Sequence, residues 1–93
     1  MNDDAEHERP ARLIWLYLLR AGEFQYRAEI REGLKDHYFA RFDATLRGMR
    51  EVGSVSVRET GGRSLRYGVT PTCRVPRGIS VSEVMEAAAG QAE

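Results

Sequence analysis

The residues able to do covalent or metal chemistry are few. The chain of 93 residues has two histidines and one cysteine. His7 stands in an acidic leading stretch and His37 in a turn, so they do not form a ligand pair for a metal. Cys73, set between Pro71 and Pro76, reads as a small packed side chain. A single thiol makes no internal disulfide and fits a reducing cytoplasm. A redox role needs an activated thiolate, and among its neighbours Arg74 alone would favour one. Glu29 with Glu32, and Asp36 with Asp43, are carboxylate pairs of the kind solvated helix faces carry. No Gly-x-Ser-x-Gly elbow, phosphate-binding glycine loop, Cys-x-x-Cys or His-Glu-x-x-His is present. The reading is therefore of a protein that is not an enzyme, with no cofactor and no evident small-molecule ligand.

The arginines are the other chemically active group. Thirteen of the fourteen bases are arginine, and the formal net charge is zero. The charge is unevenly spread. Residues 1–36 sum to −2, residues 37–79 to +5 and residues 80–93 to −3. Guanidinium forks suit phosphate oxygens and guanine edges, and a positive segment in a neutral chain is an electrostatic footprint for a polyanion. A GC-rich coding genome would give the same arginine bias.

These side chains must be positioned by a single domain, since 93 residues bury one modest core. At 42% hydrophobic and 30% charged residues the chain falls in the soluble globular range. The longest apolar run, residues 13–19, is too short to cross a bilayer, and the acidic start lacks the form of a signal segment. Residues 1–8 read as a disordered acidic tail. Pro10 suits the first turn of a helix that runs to residue 20 or 21 and stops at Gly22. Leu13, Ile14, Tyr17, Leu18 and Ala21 share its core face, whereas Trp15 and Leu19 fall on the opposite side. Two partners could cover that second face: the chain's own C-terminal segment, or a second copy in a dimer.

Residues 23–26 connect to a second helix over residues 27–35 and have room for a short strand. Ile30 and Leu34 face inward there, and Asp36 is placed to cap the next helix. The third helix is expected over residues 38–52. Phe39, Phe42, Leu46 and Met49 point to the core, leaving Ala40, Arg41, Asp43, Ala44, Arg47 and Arg50 outside. Tyr38 is read as half-buried at its start. Gly48 would allow another element to pack close, and Gly53 is a left-handed stop.

A hairpin follows. Val55 and Val57 on one strand, with Leu65, Tyr67 and Val69 on the other, form its inner face. Pairing Val57 with Leu65 and Val55 with Tyr67 sets Glu59 opposite Arg63 and leaves a three-residue loop, Thr60-Gly61-Gly62. A two-residue Gly61-Gly62 turn would set Val57 opposite Arg66 and mix the faces. The outer face then carries Arg58, Arg66, Ser56 and Ser64, with Arg63 near the tip and nothing apolar. Residues 72–76 are extended and could add an edge strand. Ser80 or Ser82 caps a last helix that places Val81, Val84, Met85 and Ala88 on one face.

The order of helix, turn, helix with Leu46-x-x-Met49-x-x-x-Gly53-x-Val55, then a glycine-tipped hairpin, resembles the winged helix-turn-helix family of DNA-binding domains. The resemblance covers roughly residues 10–70 and rests on pattern. It implies an α+β fold: a three-helix core with a β-hairpin wing over residues 9–78, followed by a C-terminal helix and frayed end over residues 79–93. It also implies that the third helix enters the major groove of double-stranded DNA, with Arg41, Asp43, Ala44, Arg47 and Arg50 on its outer face. Arg58, Arg63 and Arg66 of the wing would meet phosphate or the minor groove. Asp43 departs from that pattern and would have to accept from a cytosine amino group or orient Arg47. The expected role is a small transcriptional regulator, a repressor of phage or mobile-element type, cytoplasmic and on the nucleoid of a bacterial host. It would act as a homodimer through Trp15, Leu19, Val84 and Met85. The alternative is a winged-helix module that binds another protein and no DNA.

Overall fold

The computed structural model describes residues 3–37, 41–59, 62 and 64–89, with residues 3–9 described through their backbone. The elements run α1 (Asp3–Ala21), β1 (Gln25–Tyr26), α2 (Arg27–Gly33), α3 (Phe42–Val52), β2 (Ser56–Glu59), β3 (Leu65–Gly68) and α4 (Val81–Ala89). This is an α+β fold with one antiparallel sheet in the order β1-β3-β2.

α1 begins earlier than its sequence suggested. The helix passes through Pro10 and includes most of the stretch read as a disordered tail. A proline inside a helix loses one ladder bond, here the one to the Glu6 carbonyl, while the turns on either side continue. Ile14, Trp15 and Leu18 are buried, with Leu13 and Leu19 half-buried and Ala21 exposed. The indole of Trp15 is 3% exposed, on the side opposite the one predicted to face the core. α4 of the same chain lies against α1, so α1 is covered on both sides. Of the two covers considered, the chain supplies its own, and Trp15 is not available to a second copy.

The helix ends follow local chemistry. The Tyr26 N–H donates to Glu29 Oε1 at 2.9 Å and closes the first turn of α2. Ile30 and Leu34 are buried as their spacing requires. Gly33 lies directly beneath the Tyr17 ring, where a Cβ would collide with it. The Tyr17 hydroxyl donates to Gln25 Oε1 at 2.6 Å and so ties α1 to β1. α3 starts at Phe42 with Arg41 at its N-cap, so Asp36 does not cap it. The positions of Tyr38, Phe39 and Ala40 lie outside the described residues. Phe42, Thr45, Leu46 and Met49 are buried. Gly53 ends the helix at φ 83°. The Ser54 N–H reaches the Met49 carbonyl at 2.8 Å and the Gly53 N–H that of Arg50 at 3.3 Å, the bonds of a Schellman stop. Nothing lies within 4 Å of a Cβ built on Gly48, so no element uses the space expected there.

The hairpin register differs from the expected one by two residues. Val57 pairs with Tyr67, Arg58 with Arg66 and Glu59 with Leu65, which leaves residues 60–64 as the connection. A shift of two keeps every side chain on its face, so the apolar alternation is satisfied by either register. β1 completes the sheet by pairing Gln25 with Tyr67 and Tyr26 with Arg66. Val55 is buried and Tyr67 and Val69 pack on the core formed by the helices. Residues 72–76 form no strand; a turn brings the Cys73 N–H to the Thr70 carbonyl. The Arg74 N–H then donates to the Gly53 carbonyl at 2.8 Å and anchors this segment to the end of α3.

α4 begins with a reciprocal cap. The Glu83 N–H donates to Ser80 Oγ at 3.2 Å, and the Ser80 N–H donates to Glu83 Oε1 at 3.1 Å. Glu83 also pairs with Arg12 of α1 at 3.2 Å. The inward face of α4 is Val84 and Ala87, whereas Val81 and Met85 are 76% and 66% exposed. The predicted grouping of Val81, Met85 and Ala88 with Val84 as one covered face is therefore rotated: those three look outward.

Candidate nucleic-acid interface

With Phe42, Leu46 and Met49 turned inward, the 100° step of α3 sends Ala44, Arg47 and Glu51 to its crown and Asp43 and Arg50 to its flank. All five are exposed, as is Arg41 at the N-cap. Among the described residues Arg41, Arg47 and Arg50 make no ion pair. Glu51, which sequence reasoning left out of this face, sits one turn beyond Arg47.

Asp43 has a different partner from those considered for it. Arg27, the first residue of α2, donates from Nη1 to Asp43 Oδ1 at 2.9 Å. The pair is exposed, so its contribution to stability is small. Its effect is positional: it cancels the carboxylate that would otherwise oppose an anion at α3. A shallow groove between the two helices and β3 is lined by Arg27, Asp43, Leu46, Arg47, Arg50 and Tyr67. Arg27 thus joins the arginines of α3, though as an outward residue of α2 it carried no functional expectation.

The outer face of the sheet holds a second cluster. Tyr26, Arg66 and Arg58 stand side by side across β1, β3 and β2. The Arg66 guanidinium lies 4.8 Å from the centre of the Tyr26 ring. That of Arg58 lies 4.3 Å from the Phe24 ring, which covers Gly68. The expectation that nothing apolar occupies this face is corrected by β1, whose segment brings two rings onto it. Their signal in the sequence was the aromatic spacing Phe24-x-Tyr26 just before a helix. Arg63 lies outside the described residues. Because Tyr26 precedes Arg27 directly, the chain itself joins the sheet cluster to the groove beside α3.

Cys73 is half-buried, in keeping with a packed side chain, but its thiol is also hydrogen-bonded. Sγ receives the Thr70 N–H at 3.3 Å and lies 3.4 Å from the hydroxyls of both Ser56 and Thr70. Burial pushes its pKa up, and the hydrogen bonds from Ser56 and Thr70 outweigh that and hold it below the ordinary thiol value. Among the described residues no helix is long and apolar enough to cross a membrane. Of the four residues expected at a dimer interface, Trp15 is buried, Leu19 and Val84 are packed against the core, and Met85 is exposed.

Comparison with protein-family models, with curated proteins and with solved structures finds no match to this chain.

Proposed function

We propose that this chain is a winged helix-turn-helix domain that binds double-stranded DNA and acts as a small transcriptional regulator. The element order supports this reading: three helices, a hairpin after the third, and a short strand between the first two that pairs with the second hairpin strand. The observation that carries it is the set of arginines that, among the described residues, have no carboxylate partner and stand on two adjoining surfaces. Arg47 and Arg50 stand on exposed α3, and Arg58 and Arg66 on the outer sheet face. α3 would lie in the major groove and the sheet cluster along the neighbouring backbone. As a homodimer it would occupy two half-sites roughly 34–36 Å apart and repress by blocking the operator. Val81, Met85 and Ala88 are the exposed apolar residues that such a pairing would use.

A second reading, a winged-helix module that binds a protein, is favoured by the carboxylate of Glu51 on the crown of α3 and by the zero net charge. Fluorescence anisotropy with a mixed pool of duplex DNA separates the two. On the DNA reading, affinity falls steeply with salt, and Arg47→Ala and Arg66→Ala each weaken it and lower the salt slope by about one. No binding at low salt would remove the DNA reading and leave the protein partner.

A further inference from the structure

The geometry points to a phosphate site on the outer face of the sheet, in which Arg58 and Arg66 together grip one phosphate group and Phe24 and Tyr26 are positioning residues. The hairpin register sets the two arginines directly opposite each other. Like charges in that relation repel and destabilise a sheet. Among the described residues neither has a carboxylate partner. Each is held by a ring instead, Arg58 by Phe24 at 4.3 Å and Arg66 by Tyr26 at 4.8 Å. A ring holds a guanidinium by its face and leaves the in-plane N–H donors free. Two such forks, carried at paired positions of neighbouring strands, are complementary to the several oxygens of a phosphate, which would also relieve their repulsion.

Gly68 completes the arrangement. It pairs with Ser56 on the row next to Arg58, and the Phe24 ring occupies the space its missing side chain leaves. A Cβ there would stand 2.6 Å from the ring, which would have to leave Arg58. The ligand class is a phosphate monoester, a diester or the free ion, so the source is either a nucleic-acid backbone or a small phosphate. This deepens the reading of the sheet face given above and rests on it only for that source.

The test follows the arginine Nε–Hε resonances of the ¹⁵N-labelled full chain, assigned with Arg58→Lys and Arg66→Lys, as inorganic phosphate and then a short duplex DNA are added. The Arg58 and Arg66 signals should move together with phosphate while those of Arg74 and Arg77 stay. Lysine keeps the charge but loses the fork, so either variant should weaken phosphate binding about tenfold. Phe24→Leu, which leaves both arginines in place, should weaken it severalfold with the helical circular dichroism intact. If that variant unfolds, the two lysine variants decide. A duplex that moves the same two signals identifies backbone phosphate as the source. Phosphate acting where duplex does not would keep the site, with a small phosphate as its source, and leave the DNA reading to the anisotropy test. The inference is overturned if phosphate moves neither signal, if it moves all exposed arginines alike, or if the lysine variants bind as the wild type does.

Discussion

Gly48 and Gly33 show how differently one residue type can behave in two helices of one chain. Gly48 lies inside α3 with open space where a side chain would go. It contributes only the cost of a flexible backbone, so Gly48→Ala should raise stability by about 0.5–1 kcal/mol, read as a higher midpoint in urea at unchanged slope. Gly33 is the opposite case, because the ring of Tyr17 occupies the position of its absent Cβ. Asp43 belongs to the same scale. From sequence its candidate partner was Arg47, four residues on, whereas the structure pairs it with Arg27, sixteen residues away. Local spacing names the neighbours on one helix and is silent about what a second helix brings.

At the scale of elements, one carboxylate both caps α4 and ties it to α1. Glu83 accepts the Ser80 N–H, pairs with Arg12 on α1 and has its pKa lowered, chiefly by the bond from the Ser80 backbone and then by Arg12. A carboxylate whose folded pKa lies below its unfolded value stabilises the fold above the unfolded value, and that stabilisation fades as pH falls through the folded one. Glu83's own part in holding α4 should therefore be complete above the ordinary value of 4.5 and fade progressively below it, while Val84 and Ala87 still pack inward. Trp15, the one tryptophan, is buried on α1 three residues beyond Arg12 and serves as the reporter. Its emission should shift to the red on acidification, and Glu83→Gln should show a weaker acid dependence. An unchanged acid profile in the variant would mean that other carboxylates control the transition.

For the whole molecule, all three core-forming helices and the sheet meet in one cluster built on Ile14, Trp15, Leu18, Ile30, Phe42, Leu46 and Val55. A single core in a chain of this size should unfold in one cooperative step. Far-ultraviolet circular dichroism and Trp15 emission should give coincident transitions. Leu18 belongs to that cluster and is 1% exposed, and Leu18→Ala should cost about 2–5 kcal/mol, a large share of the stability of a small domain. The charge also acts at this scale. Acidic ends and a positive middle cancel in the total, yet the fold presents the middle's arginines on α3 and the sheet.

What the sequence by itself determined is periodic or local. The inward faces of α2 and α3, the alternation that puts Arg58 and Arg66 on one side of the hairpin, the Gly53 stop and a serine cap at Ser80 or Ser82 follow from 3.6- and 2-residue periods and from the needs of helix ends, and the structure selects Ser80. Tertiary structure decided what those rules leave degenerate. A two-residue slip preserves every face of a hairpin, and the observed register is the one in which β3 also pairs with β1. Trp15 had two available covers, and the docking of α4 selected the one within the chain. The rings beneath Arg58 and Arg66 come from Phe24 and Tyr26, 34 and 40 positions back along the chain. Contacts between elements so far apart depend on how whole faces fit, and no local period carries that information.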